Sequence, residues 1–206
     1  MQFPEARILI FAKAPEPGYV KTRLISALGA EGAAGLYMSL LKQTVGSVTA
    51  ASLAPIQLWC SPDCDHIVFQ QLARQYNLSL YQQSGSDLGE RMYSAANLAL
   101  AESEMVLLIG ADCPVLNSMH LSQALRWLNE GNDAVVGPAE DGGYVLLGLR
   151  KNDARLFENM PWGGDRVLKL TRKLLTELGW HWQELEPLWD LDRPEDIERW
   201  HSLQNQ

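Results

Sequence analysis

The chain has 206 residues, 47% of them hydrophobic and 20% charged, with a formal net charge of −8; this composition supports one packed core and excludes intrinsic disorder. The negative balance excludes general nucleic-acid binding, which needs many lysines and arginines to displace counterions, so any phosphate site must be a local basic patch. Three cysteines (Cys60, Cys64, Cys113) suit a reducing compartment better than a disulfide scaffold. Residues 1–7 also lack a signal peptide's apolar stretch and no run approaches the roughly 18 apolar residues of a membrane span, so one cytoplasmic domain over residues 1–206 is expected.

Along the chain, segments rich in Ile, Val and Leu alternate with amphipathic helical patterns, which predicts βαβ units around a mainly parallel sheet. Ile8 to Phe11 is an uninterrupted apolar run, as for a strand covered on both faces. The next stretch, Lys13 to Val20, holds two prolines and a glycine and reads as a loop. Ala34, Leu36, Leu40, Leu41 and Val45 recur at helical spacing within Glu31 to Val48. A strand at Ile56 to Cys60, a helix at Asp65 to Tyr76, a strand at Leu78 to Tyr81 and a helix at Glu90 to Ala101 follow. Met105 to Ile109 reads as a second buried strand, and Ser118 as the cap of a helix to Asn129. Strands at Ala134 to Val136 and Tyr144 to Leu149, a helix at Asp165 to Leu178, a strand at His181 to Leu185 and a helix at Glu195 to Leu203 complete the pattern.

The loop Lys13-Ala14-Pro15-Glu16-Pro17-Gly18-Tyr19-Val20-Lys21-Thr22-Arg23 joins a buried strand to a helical segment, where open α/β sheets bind ligands. Its three cations suit a di- or triphosphate, with Arg23 able to grip two oxygens and Lys21 acting as a point charge. The plain alternative is a solvated loop, since neither the Walker nor the dinucleotide pattern is present. Asp112 in Gly110-Ala111-Asp112-Cys113-Pro114 stands just past a strand's carboxyl end, where a carboxylate can help hold Mg²⁺ or Mn²⁺; a turn aspartate is the alternative.

In Trp189-Asp190-Leu191-Asp192-Arg193-Pro194-Glu195-Asp196 two aspartates alternate and point the same way, so Asp190 or Asp192 can supply a second carboxylate. Glu195 and Asp196 fit the dipole of the helix that starts there. Gly137-Pro138-Ala139-Glu140-Asp141-Gly142-Gly143-Tyr144 reads either as a ligand-approaching loop, with Asp141 as a base, or as a plain hairpin turn. Asp87-Leu88-Gly89-Glu90-Arg91-Met92 reads as a helix start or a lip of the nucleotide site, and Trp162 beside Gly163-Gly164 as a pocket wall. Trp180, Trp182, Trp189 and Trp200 read as packing for the C-terminal layer. Cys60 and Cys64 have no second Cys/His pair to complete a zinc site.

In order, the motifs FAKAPEPGYVKTRL, DLGERM, GADCP, GPAEDGGYVLLGL and WDLDRPEDI resemble the bacterial radical-SAM/selenodomain-associated transferases. These are glycosyltransferase-like proteins of the GT-A (nucleotide-diphospho-sugar transferase) superfamily. The set resembles more distantly the molybdenum-cofactor and phospholactate nucleotidyltransferases. The resemblance runs from Ile8 to Ile197. It implies a Rossmann-like three-layer α/β/α fold with a mostly parallel mixed sheet, a nucleotide half to about residue 115 and an acceptor half beyond it. It further implies that Lys21, Thr22 and Arg23 contact the phosphates, a set to which the reading of the residues adds Lys13, Gly18 and Asp87 as nucleotide-binding, and it implies Mg²⁺ or Mn²⁺ on Asp112 with Asp190 and Asp192. Asp112 and Asp141 carry the chemistry in this reading, and Gly142, Gly143 and Trp162 lie on the acceptor side.

Two departures from the family pattern, Gly163-Gly164 after the tryptophan and Gln43 in place of an aspartate, bear on the second substrate. Glycosyl transfer from a nucleotide sugar to an unknown acceptor is the expected activity. Nucleotidyl transfer from a nucleoside triphosphate and a non-catalytic nucleotide-binding protein are the rivals.

Overall fold

A computed structural model of the chain describes residues 1–204. Seven strands form one sheet: β1 (Ala6–Lys13), β2 (Ile56–Ser61), β3 (Ser79–Gln82), β4 (Met105–Gly110), β5 (Ala134–Pro138), β6 (Tyr144–Leu149) and β7 (Trp182–Glu184). Among the described residues there are six helices, α1 (Ile25–Ala51), α2 (Ile67–Tyr76), α3 (Leu88–Leu100), α4 (Ser118–Asn129), α5 (Val167–Glu177) and α6 (Pro194–Gln204).

The strand order is β3-β2-β1-β4-β6-β5-β7. All neighbouring pairs are parallel except those made by β6, which runs against both β4 and β5. This is a three-layer α/β/α Rossmann-like fold with a mixed, mostly parallel sheet. The chain winds outward from β1 to β3, then returns to place β4 on the other flank of β1. That reversal opens a crevice at the carboxyl ends of β1 and β4.

Alternation along the strands builds both layers. Ile8 and Ile10 of β1, with Leu107 and Ile109 of β4, face one core with Leu41, Val45, Phe69 and Leu125 of α1, α2 and α4. Leu9, Val106 and Leu108 face the opposite core with Ala95 and Ala96 of α3 and Leu175 of α5. A third cluster joins Leu24, Ala33 and Leu40 to Trp189 and Leu191 of the C-terminal segment. Trp180 and Trp182 pack on the second core and Trp200 on the third, as expected.

Three local expectations are refined. The first helix begins earlier and is broken at Gly29, whose φ of 69° interrupts it. Residues 22–51 are long and apolar enough by length and composition to cross a membrane, with hydropathy 1.4; here their buried residues cover the sheet. The cap of α4 is Asn117, not Ser118: its side chain accepts from Met119 and His120 N–H while the His120 ring accepts from the Asn117 amide. Asp65 lies outside its helix, which His66 caps by accepting from Val68 N–H.

Candidate functional site

The crevice has a volume of about 520 Å³. Its basic wall is the segment after β1. Lys13 is exposed at the rim, with its backbone N–H donating to the Tyr37 hydroxyl at 2.9 Å. Buried Val20 and Leu24 anchor the far end of the loop. Between them Lys21 takes a left-handed conformation, φ 46°, and caps a short 3-10 turn over Thr22–Leu24. Lys21 turns inward: its side chain is 4% exposed, with Nζ 2.9 Å from Asp112 Oδ2 and 3.5 Å from Asp192 Oδ1. Burial lowers the affinity of this ammonium for its proton. Asp112, by charge and hydrogen bond, and then Asp192 and Asp190 outweigh burial and hold it above the ordinary lysine value. Arg23, half exposed, is ion-paired with Asp192. Thr22 is exposed in the crevice wall.

The acidic wall is assembled from two distant segments. Asp112 follows β4, and its carbonyl accepts the Leu191 N–H at 3.0 Å. Leu191 is fully buried in the cluster with Leu24. Its flanking residues Asp190 and Asp192 therefore both face the crevice, as their alternation predicts. Asp190 is pushed up to about 6, first by burial and then by the charges of Asp112 and Asp141, against a smaller opposing effect of Lys21. Four carboxylates thus share one electrostatic neighbourhood. Among the described residues no group of three His, Cys, Asp or Glu stands positioned to hold a metal ion.

The third wall is the β5–β6 turn and the segment before α5. Asp141 lines the crevice, and its Oδ1 accepts the Gly143 N–H at 2.9 Å. Gly142 has φ +90°, and a Cβ there would lie 2.3 Å from the Asp165 carbonyl oxygen, so the turn packs backbone to backbone on the segment leading into α5. Trp162, Gly163 and Gly164 extend this wall, with Trp162 edge-on to Tyr144 at 6.3 Å. The Tyr144 hydroxyl and Trp162 Nε1 are buried without a hydrogen-bond partner, and burial raises the Tyr144 phenol.

Three expected site residues lie outside the crevice lining. Gly18 has φ +85° and serves the loop turn. Asp87 caps α3 by accepting the Glu90 N–H at 2.9 Å. Gly142 acts through its backbone contact with Asp165 and its carbonyl, which accepts the Leu168 N–H. Gln43 does not touch this wall either: it lines a shallow groove with Pro114, Asn117 and Trp200, so its departure from the family pattern lies away from the crevice. Conversely, Gln83, Tyr37 and Tyr144 line the crevice and were not singled out from the sequence. Gln83 stands just past β3 and donates to the Ala12 and Trp59 carbonyls, at 3.2 and 2.8 Å. Its position just past the carboxyl end of a strand is the one signal the sequence offered for it.

Phosphoenolpyruvate guanylyltransferase of Rubrobacter xylanophilus is 30% identical to the chain, with 92% of each covered. The crystal structure of a provisionally named nucleotide-diphospho-sugar transferase from Desulfovibrio desulfuricans G20 superposes with a TM-score of 0.83 at 33% identity, covering 92% of this chain and 83% of that one. Glucosyl-3-phosphoglycerate synthase of Mycobacterium tuberculosis, in complex with Mn²⁺ and uridine diphosphate, shares the fold at 13% identity, TM-score 0.59, over 95% of this chain and 75% of that one. Residues 44–164 match the family described as uncharacterized protein conserved in bacteria (DUF2064). The match supports the transferase-like family expected from the motifs only in part, since none of these similar proteins links the chain to radical-SAM or selenium chemistry. The chain belongs to this bacterial DUF2064 family and is an enzyme of the nucleotidyltransferase/GT-A superfamily.

Proposed function

We propose that the chain is a metal-dependent transferase that moves a glycosyl group from a nucleotide-diphospho-sugar to a hydroxyl-bearing acceptor. The observation that carries this reading is the meeting of Lys13, Lys21 and Arg23 with Asp112, Asp190 and Asp192 in one crevice at the sheet's switch point. The likeness in sequence and structure to the Desulfovibrio transferase favours a nucleotide sugar as donor. In this reading residues to about 115 bind the nucleotide and the rest bind the acceptor.

No cluster of three such groups stands preformed among the described residues, but Mg²⁺ or Mn²⁺ can be held by one or two carboxylates with water and substrate phosphates completing the shell. Asp112, Asp190 and Asp192 offer hard carboxylate oxygens, and a cation, the Lys21 ammonium, is already held between Asp112 and Asp192. The metal, when bound there, supplies charge neutralisation for the leaving diphosphate. Lys13 and Arg23, with the exposed Thr22 hydroxyl, contact the donor phosphates. Gly143 and Trp162 shape the acceptor side, and Asp141, oriented by the Gly143 N–H, takes the acceptor's hydroxyl proton as the glycosidic carbon–oxygen bond to phosphate breaks and the nucleoside diphosphate leaves.

Nucleotidyl transfer is the second reading, favoured by the likeness to the guanylyltransferase and by three cations on one loop. There the acceptor oxygen attacks the α-phosphorus and pyrophosphate leaves. Thermal-shift screening of nucleoside triphosphates and nucleotide sugars with Mg²⁺ or Mn²⁺ selects the donor. Product analysis then decides: nucleoside diphosphate supports glycosyl transfer, pyrophosphate replaces it with the second reading, and no metal-dependent shift or product leaves only a binding role.

A further inference from the structure

Lys21 is held in a state that only a change of partner can release. Its backbone sits at φ 46°, ψ 43°, a region a side-chain-bearing residue adopts at a cost, and its neighbours Val20 and Leu24 are buried, so the loop does not relax it. The side chain is almost wholly enclosed, and its ammonium bridges Asp112 and Asp192 at 2.9 and 3.5 Å. These are the carboxylates that the proposed metal site requires. A divalent ion brought between them meets the ammonium's repulsion, and an ammonium displaced from them needs another anion, because a charge left unpaired in so enclosed a place is costly.

Resting on the metal-site reading above, we propose that Lys21 is a built-in placeholder cation. In the free enzyme it occupies the divalent ion's position between Asp112 and Asp192, and it moves onto the donor's phosphates when metal and donor enter together. Metal alone must compete with the lysine. Metal arriving with a diphosphate does not, since the phosphate oxygens give Lys21 a new partner. Metal and donor affinities are therefore coupled, each strengthening the other by the same factor.

The test is Mn²⁺ binding without nucleotide, followed by calorimetry in wild type, Asp112→Asn, Lys21→Met, Lys21→Met/Asp112→Asn and Lys42→Met, the last a charge-matched control at an exposed lysine of α1. Lys21→Met is expected to bind Mn²⁺ at least about tenfold more tightly than wild type, with the gain abolished by Asp112→Asn and absent in Lys42→Met. A Lys21→Met variant that binds no more tightly, or a gain that survives Asp112→Asn, overturns the proposal. If wild type already binds Mn²⁺ through Asp112 as tightly as Lys21→Met, the metal site stands and the placeholder role falls. If neither shows binding that Asp112→Asn removes, both fall. Should Lys21→Met not fold, acetic anhydride labelling of the unmodified protein reads the same exchange. Saturating Mn²⁺ then raises acetylation of Lys21, and unchanged labelling overturns the proposal.

Discussion

At the scale of single residues the site consists of opposite charges stored against each other. Lys21 and Asp112 are one such pair, and Asp112 is partly open to water while Lys21 is not. Removing the carboxylate strands the ammonium. Asp112→Asn is therefore expected to cost about 1–2 kcal/mol of stability, below the full penalty for breaking a buried pair because Asp112 is partly solvated. Urea denaturation measures this, and an unchanged midpoint would show that Lys21 finds other compensation. The same substitution should lower turnover at least about a hundredfold, as the loss of a charge-stabilising group does. Gly89 is a second pressure point: a Cβ there would lie 2.3 Å from the Phe157 carbonyl oxygen and 2.8 Å from Trp162 Nε1. Gly89→Ala is expected to displace the Trp162 segment and destabilise the fold by about 1–3 kcal/mol, with a changed KM for acceptor and an unchanged donor affinity; donor affinity falling equally would contradict the assignment of that wall. The reach of the sequence at this scale is plain from Asp190 and Asp192. Their alternation around an apolar Leu191 foretold which way they face. Tyr37 and Gln83 carried no comparable mark, because they enter the crevice only through the packing of α1 on the sheet and the placement of β3 beside β2.

Among the elements, strands and helices were legible where burial enforces a period, and their ends were not. Asn117 displaced Ser118 as the cap of α4 because its carbonyl reaches two amides while His120 answers from the third helical position. Asn117→Ala is expected to cost about 1 kcal/mol and Ser118→Ala only a few tenths; equal thermal shifts for the two would refute this. The reversed direction of β6 was also hidden, since a strand buried on both faces reads the same either way and only the short turn after Pro138 pointed to a hairpin. At the sheet's edge Asp133 holds β5 to the start of β7, accepting the His181 N–H at 2.9 Å and pairing with Lys151. Burial opposes its ionisation, but the Lys151 hydrogen bond, the His181 amide and the two nearby charges outweigh that and lower its pKa. A lowered carboxylate stabilises the fold above its unfolded value near 3.8 and loses that contribution as pH falls through the folded value. Asp133→Asn should therefore cost about 0.5 kcal/mol near neutral pH, the scale of a solvent-screened pair, and converge with wild type in a thermal-melt series as pH falls below the lowered value of the Asp133 carboxyl.

Across the whole molecule, a net charge of −8 and a crevice lined by three cations divide the labour in the proposed reading: the bulk of the surface repels polyanions while one basic loop is kept for phosphate. The acidic half of that crevice is contributed late in the chain. Arg23 and Asp192 are 169 positions apart, and the pair Asp190 and Asp192 is fixed beside Asp112 through the Leu191 amide and the small apolar cluster under it. On the ribosome, β1 to β4 emerge long before residues 189–192. A nascent chain therefore exposes its basic loop without Asp190 and Asp192, and Lys21 has only Asp112 for company. The full set of charges closes only once residues 189–192 dock, so the crevice is completed in one late event rather than growing with the length of the chain.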